Sequence, residues 1–193
     1  MVKVQVKAEG LERAMAFMSD VARNRGIRLR PLMMRAGEII YRSVMRNFEE
    51  GGRPRWKKWS PLTLKIYAGM AQEKVEKRYK RETTRAKHMR TEMEKISAAK
   101  ILSRSGDLKK SIHIGRVTNE SVEIGSSLPY ARIHQLGGVI RPKTKKALCV
   151  PMGGGRFLLL KSVTIPARPF LAIQKEDEQV IMRAVRTYIL EGR

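Results

Sequence analysis

A single cysteine, Cys149, stands in 193 residues, which excludes an intrachain disulfide and with it the small secreted scaffolds built on paired cysteines. Long apolar runs are also missing: the longest candidate, Phe157 to Leu160, falls far short of the roughly 18 residues of a spanning helix. No membrane partner is expected. The opening MVKVQVKAEG alternates apolar and polar residues, so the continuous apolar segment of a signal peptide is absent. Histidine is limited to His88, His113 and His134, and no pair has zinc-finger spacing. Acidic residues are the scarcest relative to need: 18 Asp and Glu face 41 Lys and Arg, a net charge of +23. Such an imbalance is silent about fold and points to polyanions: nucleic acid, an anionic membrane surface, or an acidic protein surface. At 42% hydrophobic residues the chain still has material for a core, and its length predicts one domain.

Val2, Val4 and Val6 alternate with polar residues, the period of a half-buried strand. From Leu11 the apolar positions fall three and four apart through Ala22, predicting an amphipathic helix. A second helix is predicted from Pro31, which suits a first turn because its missing N–H would go unused there. Leu32, Ala36, Ile40, Val44 and Phe48 form its stripe, and Gly51-Gly52 ends it. Residues 53–110 hold 18 Lys and Arg against six Asp and Glu. Within them Ser60-Pro61 reads as a helix start, and a long polar stretch from 71 to 100, with a narrow Met89, Met93, Ile96 stripe, reads either as an exposed, projecting helix or as one ordered only on binding. The last ninety residues turn to strands: a hairpin about Thr118-Asn119-Glu120, a helical turn at 129–135, extended Val139-Ile140, and strands at 147–150 and 156–165 joined by Met152-Gly153-Gly154-Gly155. A terminal helix carries Ile173, Val180, Ile181, Ala184, Val185, Tyr188 and Ile189 at helical spacing, with Asp177 the one polar member.

The expected fold is α+β: an antiparallel sheet of four to five strands packed with two N-terminal helices and a C-terminal helix, plus a basic helical insertion. Three stretches divide the single domain: 1–52, an insertion at 53–104, and 105–193.

Residues that could carry chemistry are few. Cys149 with the three histidines offers a metal or thiol–imidazole site only if the fold gathers them. Gly153-Gly154-Gly155-Arg156 lacks the Gly-Lys-Ser/Thr of a phosphate loop and lies between strands, so it reads as a turn. No catalytic residue, metal or cofactor is expected. Arg53, Arg55, Trp56, Lys57 and Lys58 are the sharper pattern: indoles among cations stack on bases while neutralising phosphates. The favoured reading of the indoles is the plainer one: Trp56 and Trp59, three apart, anchor a loop to a core, with the cations solvated around them.

Asn47-Phe48 with Gly52-Arg53-Pro54, Trp59-Ser60-Pro61-Leu62-Thr63, Ile101-Leu102 with Ser105-Gly106-Asp107-Leu108 and Ser111-Ile112, Tyr130 to Gly138, Ile140 to Lys143, and Ile165 to Leu171 together resemble the phage virion morphogenesis family of Mu-like tail-completion proteins. The resemblance spans about residues 40–175 and departs from the family in the long basic stretch between Tyr67 and Lys100. It implies a non-enzymatic virion protein of a phage or prophage, related in fold to tail-completion and neck proteins. Such a protein is made in the host cytoplasm and acts in tail completion or head–tail joining. Its implied partners are itself, in a ring that is often sixfold, and the tail tube or connector, with DNA a further partner by charge. Matched residues then serve fold and interface: Trp59, Gly106, Leu108, Tyr130, Ile133, His134, Gly137, Gly138, Pro166, Arg168, Pro169 and Phe170. Tyr130, Ile133 and Leu136 are expected to bury one face of a helical turn, with His134 pointing elsewhere.

Overall fold

A computed structural model describes Ala16, Asp20, Gly26 and residues 28–191. The strand expected at Val2 to Val6 and the stripe expected from Leu11 lie outside the described residues. Helix α1 runs Arg30–Glu50 with its proline in the first turn, as the sequence predicts, and closes on Gly51 at φ 77°, whose N–H donates to the Asn47 carbonyl. A left-handed residue there favours glycine because it has no Cβ to clash.

Two apolar clusters share α1. Its first half, through Leu29, Leu32 and Ala36, packs on Ile181, Ala184 and Val185 of the terminal helix. Its second half places Val44 and Phe48 against Trp56, Leu108, Ile112, Ala131, Phe170 and Leu171. The predicted stripe is therefore the buried one, apart from half-buried Ile40. One helix thus spans both parts of the core.

Helix α2, Pro61–Arg78, starts where predicted, with the Ser60 hydroxyl accepting from the Thr63 N–H at 3.1 Å. The polar stretch is not one helix, however. Tyr79 is extended (φ −123°, ψ 127°) and the chain turns back into α3, Glu82–Ala98. The turn is held by the Arg85 Nε–H, which donates to the Tyr79 carbonyl at 2.7 Å, and by the Tyr79 ring stacked on His88 at 4.0 Å. Neither contact leaves a trace in hydrophobic periodicity. Lys74 and Lys95 both reach Glu92 at 3.2 Å across and along the pair. No residue of α3 is buried, so this stretch is solvent-exposed as expected, but it folds back along α2 and does not project as one long helix.

A short helix α4 (Asp107–Lys110) leads into β1 (Ile112–Val117) and β2 (Val122–Ser126), an antiparallel hairpin turning at Thr118 to Ser121. Helix α5 (Ala131–Leu136) follows, then β3 (Gly138–Ile140), β4 (Leu148–Gly153), β5 (Arg156–Leu160), β6 (Val163–Ile165) and α6 (Lys175–Glu191). The α+β class and antiparallel pairing are present, but the strands do not form a single sheet of four to five. Among the described residues they pair as three separate ladders, β1–β2, β3–β6 and β4–β5. The strand expected at 156–165 is two, because the chain bends at Lys161-Ser162 and sends Val163 to Ile165 back to β3.

The β4–β5 hairpin is docked by its turn. Gly69 of α2 lies so close to Met152 and Gly153 that a Cβ on it would overlap the Met152 carbonyl oxygen. Glycine is needed there for contact between two backbones.

Candidate interaction site

Four of the segments that carry the family resemblance, at 47–54, 101–112, 130–138 and 165–171, distant in sequence, meet around the peptide groups of Phe170 and Leu171. Phe170 is 0% exposed, with its ring 5.4 Å from Phe48, which in turn meets Trp56 edge-on at 5.8 Å. Two side-chain amides hold the backbone. Asn47 donates Nδ2–H to the Phe170 carbonyl at 3.0 Å. Gln135 accepts from the Phe170 and Leu171 N–H groups with Oε1, both at 2.9 Å, and donates Nε2–H to the Leu171 carbonyl at 3.0 Å. Buried backbone groups outside helix and ladder must find such partners, and here α1 and α5 provide them.

Arg53 extends the network. Its guanidinium donates to Asn47 Oδ1 at 2.9 Å, to Ser43 Oγ at 2.6 Å and to the Ser43 carbonyl, and it pairs with Glu176. Asp177, 7% exposed, accepts from Ser43 Oγ at 2.5 Å and from the Gln174 N–H at 2.8 Å, which explains a carboxylate on the apolar face of α6. Arg168 is also buried; its Nε–H donates to the Lys57 carbonyl at 3.2 Å and its backbone N–H to the His134 carbonyl at 2.8 Å.

Several expectations change. Trp56 is 7% exposed and its indole N–H donates to the Pro169 carbonyl at 3.1 Å, so its ring is not available to stack on a base. Arg53 likewise turns inward to its hydrogen bonds, whereas Arg55, Lys57 and Lys58 remain on the surface. Trp59 is half-buried, edge-on to Tyr67 at 5.3 Å. On α5 the buried face is Ala131 and Gln135, while Tyr130 and Leu136 are 40% and 58% exposed and Ile133 is half-buried. Hydrogen bonding of Gln135 to the Phe170 strap outweighs the apolar stripe in orienting this short helix.

His134, whose carbonyl accepts from the Arg168 N–H, has its Nδ1 buried and unpartnered. Burial, with the Arg168 cation, lowers its pKa from the usual 6.5. Leu108 is buried, and Gly106, Gly137 and Gly138 have positive φ at the ends of α4 and α5. Pro166 and Pro169 frame the strap; Pro169 is exposed and uses its carbonyl for Trp56.

Cys149 is exposed, His113 Nδ1 faces the Ser111 carbonyl at 3.0 Å and His88 is stacked on Tyr79. These residues are not gathered, and among the described residues no three His, Cys, Asp or Glu side chains are placed to hold a metal. No described helix is long and apolar enough to cross a membrane.

The surface has a feature that local pattern reading missed. Residues 124–175 contain nine Lys and Arg and no carboxylate. Within this stretch Cys149 faces Leu159 and Pro151 faces Phe157 across the β4–β5 ladder. All four are exposed, Phe157 at 62% and Leu159 at 68%. Alternation places the half-buried Leu148, Val150, Leu158 and Leu160 on the other face. Both faces of the hairpin are apolar, which in a solvated ladder is unexpected.

Motif segments thus converge on a buried strap, and the unusual features, an exposed apolar face and a basic stretch, lie on the outside. The family model described as the phage virion morphogenesis family matches residues 7–190, and the chain belongs to that family. Over 189 residues, 97% of this chain and 96% of the relative, it is 29% identical to "Mu-like prophage FluMu G protein 2" of Haemophilus influenzae. No solved structure gives a significant match.

Proposed function

We propose that this protein is a structural subunit that completes the tail of a phage or prophage particle or joins the tail to the head. It works as a ring-like homo-oligomer against tail-tube or connector proteins, without catalysis. The observation that carries the reading is the family match across nearly the whole chain, supported by the prophage relative of the same length. The structure is consistent in one respect: the residues of the matched motifs build a strap and its clamps, leaving the outer faces of the ladders for neighbours. Unpaired strand edges and apolar faces are what a subunit presents before assembly.

The test is deletion of the gene from an inducible prophage, with electron microscopy of the lysate. Free heads and unjoined or defective tails are expected, with infectivity restored by the gene in trans. Normal infectious particles from the deletion would refute the reading. The alternative, a stand-alone nucleic-acid module, loses its stacking platform with Trp56 in the core and retains only surface charge.

A further inference from the structure

We propose that the outward face of the β4–β5 hairpin, made of Cys149, Pro151, Phe157 and Leu159, is the docking surface for an acidic protein of the virion, whose carboxylates surround an apolar centre. This rests on the assembly role proposed above and names the chemistry of the partner.

The face has the anatomy of an interface, an apolar middle inside a polar rim. Cations predominate around it, although the Glu73 carboxylate, already paired with Lys77, reaches the hairpin turn at the Gly154 N–H. Lys143, Lys145 and Lys146 precede β4, Arg156 opens β5 and Lys161 follows it, all exposed and none ion-paired with a described residue. By contrast the cations of α2 and α3 at Lys74, Lys77, Arg90 and Lys95 have carboxylates of their own. With Glu73 taken up by Lys77, the cations flanking the hairpin are left to be matched by the partner, and complementary potential sets partner choice and register.

Phe157 also lines a cavity of about 610 Å³ between the hairpin turn, α2 and α3, where Met89 and Met152 provide soft apolar walls. The flat face therefore continues into a recess that a partner side chain can enter. A second copy is disfavoured because the chain carries +23 overall, so a neighbouring copy brings an excess of cations to this face, and like-charge contact costs several kcal/mol. Nucleic acid is disfavoured because Leu159 and Pro151 offer a phosphate backbone nothing. The face has one aromatic ring, not a series on which bases stack.

The experiment is photo-crosslinking in an induced prophage lysate, with Leu159, or separately Phe157, replaced by a diazirine-bearing residue. Arg90 on α3 serves as the control position. Adducts are mapped by mass spectrometry in assembled particles and their intermediates. The expected result is an adduct to a different virion protein, in a segment where Asp and Glu outnumber Lys and Arg. Its yield should exceed the Arg90 control by about tenfold and fall by about tenfold in Lys145→Glu, Lys146→Glu, given the cost of like-charge contact. Those lysines lie in an exposed loop, and an unchanged melting curve would show that the fold is kept. An adduct to DNA, to a second copy or within the same chain would overturn the proposal, as would no adduct from protein recovered in particles. Absence of the protein from both particles and intermediates would overturn the assembly role as well, so the two failures are told apart.

Discussion

Replacing Gln135 by leucine tests whether the strap is held as described. The side chains are similar in volume, so cavity and overpacking costs are small, and what changes is hydrogen bonding. Gln135 is 6% exposed and serves three backbone groups, the N–H groups of Phe170 and Leu171 and the carbonyl of Leu171. Each buried group left without a partner costs about 1–3 kcal/mol. Taking the lower end, because the strap can shift and water can enter, Gln135→Leu should lose about 3 kcal/mol, a large part of the roughly 5–15 kcal/mol of a typical domain. With a urea m-value of about 2 kcal/mol/M, the midpoint should fall by about 1.5 M. Asn47→Ala, which frees the carbonyl of Phe170 on the other side of the same segment, should couple to it by about 0.5–3 kcal/mol in a double-mutant cycle. A loss below about 1 kcal/mol for Gln135→Leu at unchanged m would refute the clamp as a source of stability.

Three further outcomes follow from other parts of the molecule. Gly69→Ala should push the hairpin turn off α2 at a cost of about 1–3 kcal/mol, seen as faster amide exchange at Leu158 and Leu160 with α1 amides unaffected; unchanged exchange would mean the contact is slack. Trp56→Ala should destabilise by about 3–5 kcal/mol, whereas Lys57→Ala, Lys58→Ala should leave the melting temperature nearly unchanged and weaken only salt-dependent polyanion binding; the reverse pattern would return Trp56 to the surface. His134 has its folded pKa depressed by burial and by Arg168, so the unfolded chain takes up a proton more readily. Its contribution to stability is complete above the usual 6.5 and is lost as pH falls through the lowered value, and His134→Gln should flatten the urea midpoint between pH 7 and the onset of carboxylate titration.

Local signals were legible wherever one residue type settles the backbone or one period settles a face. Pro31, Ser60-Pro61, Gly51 and the Thr118 turn fall where the sequence places them, and the stripe of α1 is the buried one. What failed were expectations that needed the tertiary partner first. The break at Tyr79 depends on Arg85 and His88 across the turn. Helix α5 faces inward through Gln135 because the Phe170 strap lies there, and a six-residue helix has too little apolar surface to resist. The strands were located but not their grouping, since pairing of β3 with β6 across 22 intervening residues is set by packing, not by local alternation. At the candidate interface each cation was visible singly. The apolar face that they flank in sequence appears only once the ladder sets Cys149 beside Leu159 and Pro151 beside Phe157.

The strap also imposes a timetable. Asn47 in α1 closes on a carbonyl 123 residues further along the chain. At ribosomal rates of about 5–20 residues per second, roughly 6–25 s separate the emergence of the two groups. Throughout that interval Val44 and Phe48 have no Phe170 to cover them, so the nascent protein cannot finish its core before almost all of it has been translated. The apolar hairpin lies within the late-emerging part, and the surface that would meet neighbours is therefore made only shortly before the fold can close behind it.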